Sequence, residues 1–197
     1  FDEHKTSRYC QNYMKELGFK IHQTEPMKTG FYCDYGDGNG PTFAVRCDLD
    51  ALPIQEVNTF DYCSVNVGVS HACGHDAHIT NIIGLATYII ETKQNISGTL
   101  RFLFQPAEET APGGAVAMIE GGAIESVDHI IGGHILPSLS PMKIGIRYGS
   151  MAAAVEQIIV SLTGPGGHTS RPAESVDLIW AQSHLVISLE ESIKHHL

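Results

Sequence analysis

No basic stripe runs along this chain, and that absence removes nucleic acid from the expected partners. Only 12 Lys and Arg stand against 22 Asp and Glu, a formal net charge of −10, and the basic residues are scattered. The same acidic balance gives no reason for attraction to an anionic membrane surface. No apolar run reaches the ~18–20 residues that a membrane span needs, because Asn81, Thr87 and Gly121 interrupt the longest candidates. Paired-cysteine spacing is missing too. The five cysteines, Cys10, Cys33, Cys47, Cys63 and Cys73, are odd in number and irregular in spacing, unlike a small disulfide scaffold. A reducing compartment, the cytoplasm, is the expectation. Four of the five read as small buried apolar residues; Cys73 stands apart. There is no internal repeat and no low-complexity segment. No signal peptide is in view at Phe1-Asp2-Glu3-His4-Lys5, and the abrupt ends at Phe1 and Leu197 read as those of a piece of a longer polypeptide.

What is present is a globular composition. Of 197 residues, 43% are hydrophobic and 17% charged, enough apolar material for a core of useful size. Apolar spacing predicts a helix over 5–17 closed by Gly18, strands over 19–23, 29–35 and 42–47, and a loop from Glu56 to Ser70. A strong amphipathic helix follows His71–His78, with Ile79, Ile82, Ile83, Leu85, Ala86, Ile89 and Ile90 on a broad face. A strand over 99–104, a helix over 114–120 and a strand over 127–131 come next. Alternating strand and helix predict an α/β sandwich with a mainly parallel sheet. Character changes near Ser150, where we place a domain boundary: 1–150, then 151–197. The second part reads as a strand over 154–162, a glycine-rich turn ending in His168, and a helix from Pro172 to His196. Val176, Ile179, Trp180, Leu185, Val186 and Leu189 give that helix more apolar surface than a two-element fragment can cover.

Polar clusters finish the predicted strands: Asp48 and Asp50 after one, Glu108 and Glu109 after the next, His134 after the third. A fourth, Cys73-Gly74-His75-Asp76-Ala77-His78, precedes a helix. Sites in open α/β sheets gather outside the carboxyl ends of strands, so the four are expected to converge. Thiolate, imidazole and carboxylate form the ligand set of zinc and its borderline neighbours. No second Cys-x-x-Cys or His pair follows at zinc-finger spacing, so a reactive centre fits better than a structural one. Asp76 and His78 read equally as ligands or as supports for the imidazoles. In Glu108-Glu109, one carboxylate could hold metal while the other serves as base, the division that metal-assisted hydrolysis requires. The turn before His168 lacks the Gly-Lys-Ser/Thr ending of a phosphate-binding loop. His129, His184, His195 and His196 have no supporting neighbours.

Three stretches in order, Val45-Arg46-Cys47-Asp48-Leu49-Asp50-Ala51-Leu52-Pro53, His71-Ala72-Cys73-Gly74-His75-Asp76-Ala77-His78 and Gln105-Pro106-Ala107-Glu108-Glu109, resemble the N-acyl-amino-acid amidohydrolases. Gly167-His168-Thr169-Ser170-Arg171-Pro172 with Val176-Asp177 resembles the motif of that family's smaller lid domain. The resemblance implies a di-metal hydrolase with an α/β sandwich catalytic domain and an inserted lid domain that often dimerises. It implies a small N-acyl amino acid or peptide-like substrate and two divalent ions, with Mn, Zn, Co and Ni all open. By motif position, Cys73, His75, Glu109 and His134 match metal ligands and Glu108 the general base. Asp50 matches a carboxylate that supports the metals, and His168 matches the lid histidine that polarises the scissile carbonyl. A further metal-binding histidine of the family, from a later segment, has no counterpart here, and neither does the opening His-x-x-Pro-Glu stretch.

Two other classes stay open at this stage. One is a hydrolase with Cys73 as nucleophile beside His75. The other is a truncated, non-catalytic homologue that binds metal or a partner. Arg171 reads slightly better as a solvated side chain than as the clamp for a substrate carboxylate.

Overall fold

The computed structural model describes residues 2–152 and 158–196. They fall into two compact units, one up to Lys143 and one from Ile144. The first unit is built as α1 (His4–Glu16), β1 (His22–Thr24), β2 (Met27–Gly36), β3 (Thr42–Asp48), α2 (His75–Glu91), β4 (Thr99–Gln105), α3 (Gly114–Glu120) and β5 (His129–Gly132).

Its sheet has five strands in the order β1-β2-β4-β3-β5. The expected mainly parallel sheet is only half right: β3 runs parallel to β4 and β5, whereas β2 is antiparallel to β1 and to β4. A helix joins β3 to β4, long enough for a parallel crossover; β1 reaches β2 by a tight turn, which only an antiparallel pair permits. Asp34 and Arg101 face each other across β2 and β4. Their two-pronged contact, 2.7 Å to Arg101 Nε and 2.8 Å to Nη2, pins that register.

Both faces of the sheet are covered, which makes the layered α/β sandwich. Ser7, Cys10 and Met14 recur at helical spacing on α1, and Ile79, Ala86 and Ile89 on α2. These two helices bury one face through Phe31, Cys33, Cys47, Phe102 and Phe104. Phe31 stacks on its cross-strand partner Phe104 with ring centres 4.3 Å apart. Fully burying a side chain of this kind contributes about 1.5–3 kcal/mol. The opposite face is smaller: Ala44 and Leu103 pack with Met118 of α3 and with Ala123. Period-two alternation along β3 and β4 thus serves two layers.

Gly18 ends α1 in the left-handed region at φ 93°, and the N–H of Phe19 returns to the carbonyl of Met14, the glycine stop expected from sequence. The strand expected from Phe19 begins only at His22. Phe19 instead inserts into the core, edge-on to Phe102 at 5.4 Å. Cys10, Cys33 and Cys47 are buried as anticipated, but Cys63, in the 56–70 loop, is only half-buried; all five thiols are free.

In the second unit, Ile158 to Leu162 carry no strand, and 154–157 of that expected strand lie outside the described residues. The helix expected from Pro172 is interrupted. A 3-10 turn takes Pro172–Glu174, and α4 runs Leu178–His196. Asp177 sets the new start, because its Oδ1 accepts the N–H of Trp180 at 2.9 Å, the bond of a helix N-cap. Trp180 and Val186 of α4 are 62% and 57% exposed. Among the described residues, no helix is long and apolar enough to cross a membrane.

Candidate metal centre

The parallel strands β3, β4 and β5 end at one edge of the sheet, and the loop that starts α2 meets them there. Gly74 makes that entry. It sits at φ 82°, a conformation side chains resist, and a Cβ on it would stand 3.4 Å from Cβ of Ile135. The turn places Cys73 before the helix and His75 as its first residue.

His75 is the centre of the cluster. It is 1% exposed. Its Nδ1 lies 2.8 Å from the carbonyl oxygen of Asp50. A carbonyl only accepts, so Nδ1 carries the proton and Nε2 keeps its lone pair. That Nε2 is buried and has no hydrogen-bond partner. It stands 3.7 Å from Glu109 Oε1 and 3.7 Å from Asp48 Oδ2. An orphaned buried imidazole nitrogen facing carboxylates is expensive unless something positive lies between them.

Three groups of candidate ligands share His75: Cys73, His75 and His134; His75, Glu108 and Glu109; and Asp48, His75 and His78, each with ligand atoms within 4.8 Å of one another. The first two hold Cys73, His75, Glu109 and His134, the residues that the resemblance matched to metal ligands, together with Glu108. Cys73 Sγ is 3.3 Å from His134 Nε2. His134 Nδ1 donates to the carbonyl of Ile135 at 2.8 Å, which leaves Nε2 as the ligand atom. Both groups fit a divalent ion of borderline softness.

The third group does not fit a metal. Asp48 Oδ1 accepts from His78 Nδ1 at 2.6 Å, and Oδ2 accepts from Arg46 at 2.7 Å. His78 Nε2 is taken by the N–H of Ile135 at 2.9 Å. His78 thus has no lone pair left for a metal, and both Asp48 oxygens already accept hydrogen bonds, which leaves only His75 with a ligand atom that makes none. Burial pushes the Asp48 carboxyl up, but the His78 hydrogen bond and the Arg46 and histidine charges outweigh it and hold it below its ordinary value.

Asp50 is buried. Its Oδ2 accepts the N–H of Glu109 at 2.9 Å and its backbone carbonyl accepts from His75 Nδ1, so one residue braces two candidate ligands; its Oδ1, 3.3 Å from His75 Nδ1, is buried without a hydrogen-bond partner. The backbone that delivers Glu108 and Glu109 turns at Ala107, which has φ 48°. Glu3 holds that turn: its Oε1 accepts the N–H of Ala107 at 3.0 Å and its Oε2 accepts from Thr29 Oγ1. Sequence reasoning passed over Glu3, because its partner lies 104 positions away and no spacing rule reaches that far. Asp76, left open as a ligand, is exposed, and its Oδ1 accepts the N–H of Ala77.

Burial first, then the adjoining carboxylates of Glu109, Glu108 and Asp48, push the Cys73 thiol up to about 11. A nucleophilic cysteine is prepared the opposite way, with a lowered value. A divalent cation inverts that field and stabilises the thiolate.

His168 belongs to the second unit, where its Nδ1 accepts the N–H of Ser170 and lies 2.8 Å from that residue's hydroxyl. Arg171 is exposed and lies 3.6 Å from Glu174.

The chain has known relatives. The chain is 38% identical over 198 residues to an N-acyl-L-amino acid amidohydrolase of Geobacillus stearothermophilus, covering 100% of this chain and 53% of that protein. It is 37% identical to the hippurate hydrolase of Campylobacter jejuni, covering 100% of this chain and 51% of the relative. The chain thus spans about half the length of the curated relatives it matches. A solved structure from Bacillus subtilis, described as a dinuclear metal binding peptidase of the M20 family, superposes with a TM-score of 0.66 at 39% identity, covering 71% of this chain and 39% of that one. The model of peptidase family M20/M25/M40 matches residues 44–194. The chain belongs to that family.

Proposed function

We propose that this chain supplies the metal-binding part of a hydrolase that cleaves the amide bond of N-acylated amino acids or small peptide-like substrates. The observation that carries the reading is the buried, unpartnered Nε2 of His75, a residue that shares one candidate ligand group with Cys73 and His134 and another with Glu108 and Glu109. The names of the relatives, an amidohydrolase and a hippurate hydrolase, support the substrate class.

Cys73, His75, His134 and Glu109 would hold the metal. When bound, a divalent pair supplies Lewis acidity, which polarises a carbonyl and acidifies water. The chain's residues do the rest. Asp50 fixes the tautomer and tilt of His75 and the backbone of Glu109. Glu108, exposed beside them, takes a proton from the attacking water and returns it to the leaving amine nitrogen. His168 polarises the scissile carbonyl from the lid. Residues 1–150 form the first part of the catalytic domain, and 151–197 open a lid domain through which two copies pair. Mn, Zn, Co and Ni are the candidate ions, and the cytoplasm is the proposed compartment, with neither nucleic acid nor membrane as partner.

The test is hydrolysis of N-acetyl and N-benzoyl amino acids by the full-length protein, before and after chelation. Amine release that stops with chelator and returns with one of the four metals is the expected result. Activity indifferent to chelation but abolished by thiol alkylation would replace this reading with a cysteine mechanism.

A further inference from the structure

Resting on the metal-centre reading, we propose that His78 is a positioning residue: its imidazole carries the fixed strand end at Asp48 across to the peptide of Ile135, and so sets His134 against Cys73.

The need for such a device lies in the chain itself. His134 follows Gly132 and Gly133 at the end of an exposed edge strand. A Cβ on Gly133 would meet nothing within 4 Å. Two glycines leave the backbone more freedom than any other pair of residues, so neither the strand nor local sterics determine where the next side chain points.

The hydrogen bonds do. The N–H of Ile135 can only donate, so His78 Nε2 accepts it, at 2.9 Å. The proton of His78 is therefore on Nδ1, which donates to Asp48 Oδ1 at 2.6 Å. Asp48 is tied in turn: Arg46 Nη1 donates to its Oδ2 at 2.7 Å, and Arg46 Nε donates to Gln105 at the end of β4, at 2.9 Å. On the far side, the carbonyl of Ile135 accepts from His134 Nδ1 at 2.8 Å. One residue thus has its N–H on His78 and its carbonyl on His134, and the free Nε2 of His134 arrives 3.3 Å from Cys73 Sγ. Ile135 also lies over Gly74, where a side chain would come within 3.4 Å. The rings of His78 and His134 meet edge to face at 4.6 Å. His78 is 5% exposed, so water cannot easily replace either bond.

Two amide substitutions of His78 separate positioning from packing. Glutamine presents a donor and an acceptor in place of the two ring nitrogens and can serve both Asp48 and Ile135. Asparagine can serve Asp48 but is too short for Ile135. The readouts are the Co²⁺ affinity of the metal-free full-length protein, followed by the thiolate-to-cobalt absorption that reports Cys73, and the thermal midpoint of the metal-free protein. His78→Asn should weaken Co²⁺ binding about 10–100-fold, the usual cost of losing a support behind a ligand. His78→Gln should bind close to the parent. Equal loss in both variants would make the ring itself the requirement and overturn the proposal. So would His78→Asn binding as tightly as the parent, even with a lowered thermal midpoint, since that is what a merely structural role produces. A parent protein without the thiolate–cobalt band would overturn the metal centre, and this proposal with it.

Discussion

Cys73 and His134, 61 positions apart in the chain, bring Sγ and Nε2 to 3.3 Å. Neither belongs to a regular element. Cys73 sits in the turn that opens α2, and His134 lies just beyond β5. Their meeting follows from topology: β3, β4 and β5 run parallel, so whatever follows each strand emerges at the same edge.

The first prediction concerns the proton. Glu108→Gln keeps the shape of the side chain and removes its basicity. Amide hydrolysis by the full-length protein should fall by about 10²–10⁴-fold, the usual contribution of a general base, while metal content stays at the parent level. A Gln variant that turns over at near the parent rate would assign the base elsewhere.

Glu3 should matter more than an ordinary surface charge does. Its carboxylate accepts the buried N–H of Ala107 and the hydroxyl of Thr29. Glu3→Ala orphans that N–H, at a cost of about 1–3 kcal/mol, and releases the turn that presents Glu108 and Glu109. Urea denaturation of the two proteins measures it. A difference under about 0.5 kcal/mol, the level of an ordinary surface change, would show that Glu3 is dispensable.

Asp37 gives a pH signature away from the metal centre. Its Oδ1 accepts the N–H groups of Asn39 and Gly98, each at 2.8 Å, and these bonds hold the carboxyl below its ordinary value. A carboxyl lowered on folding stabilises above its unfolded pKa, and that contribution disappears as pH falls through the folded value. The stability gap between parent and Asp37→Ala should therefore be constant down to about pH 4 and narrow below it. Urea titrations across that range would contradict the assignment if the gap widened on acidification.

Much of this was legible beforehand, and for a physical reason. Apolar patterning located the elements of the first unit, because most of them bury an apolar face in one of the two core layers. The clusters at the ends of β3, β4 and β5 and at the start of α2 were legible because chemistry-bearing residues there adjoin otherwise apolar elements. What stayed hidden depends on contacts between distant positions. Asp48 and His78 read as two more metal-competent residues, and only their hydrogen bonds, which occupy all four of their polar side-chain atoms, separate them from the ligands. The antiparallel half of the sheet was missed because β1 and β2 show the same alternation whichever way they pair. The break between Pro172 and Leu178 was missed because apolar spacing continued through it, while the capping carboxylate of Asp177 decided the start.

The central claim is that His75 anchors a metal centre. Metal analysis of the full-length protein, reconstituted with Zn²⁺, Mn²⁺, Co²⁺ or Ni²⁺ and freed of loose ions, tests it most directly when parent and His75→Ala are compared. The account predicts stoichiometric metal in the parent with at least one of these ions, and its loss in the variant, whose fold is checked by circular dichroism. A parent that retains none of them, or a folded His75→Ala protein that retains as much as the parent, would contradict it.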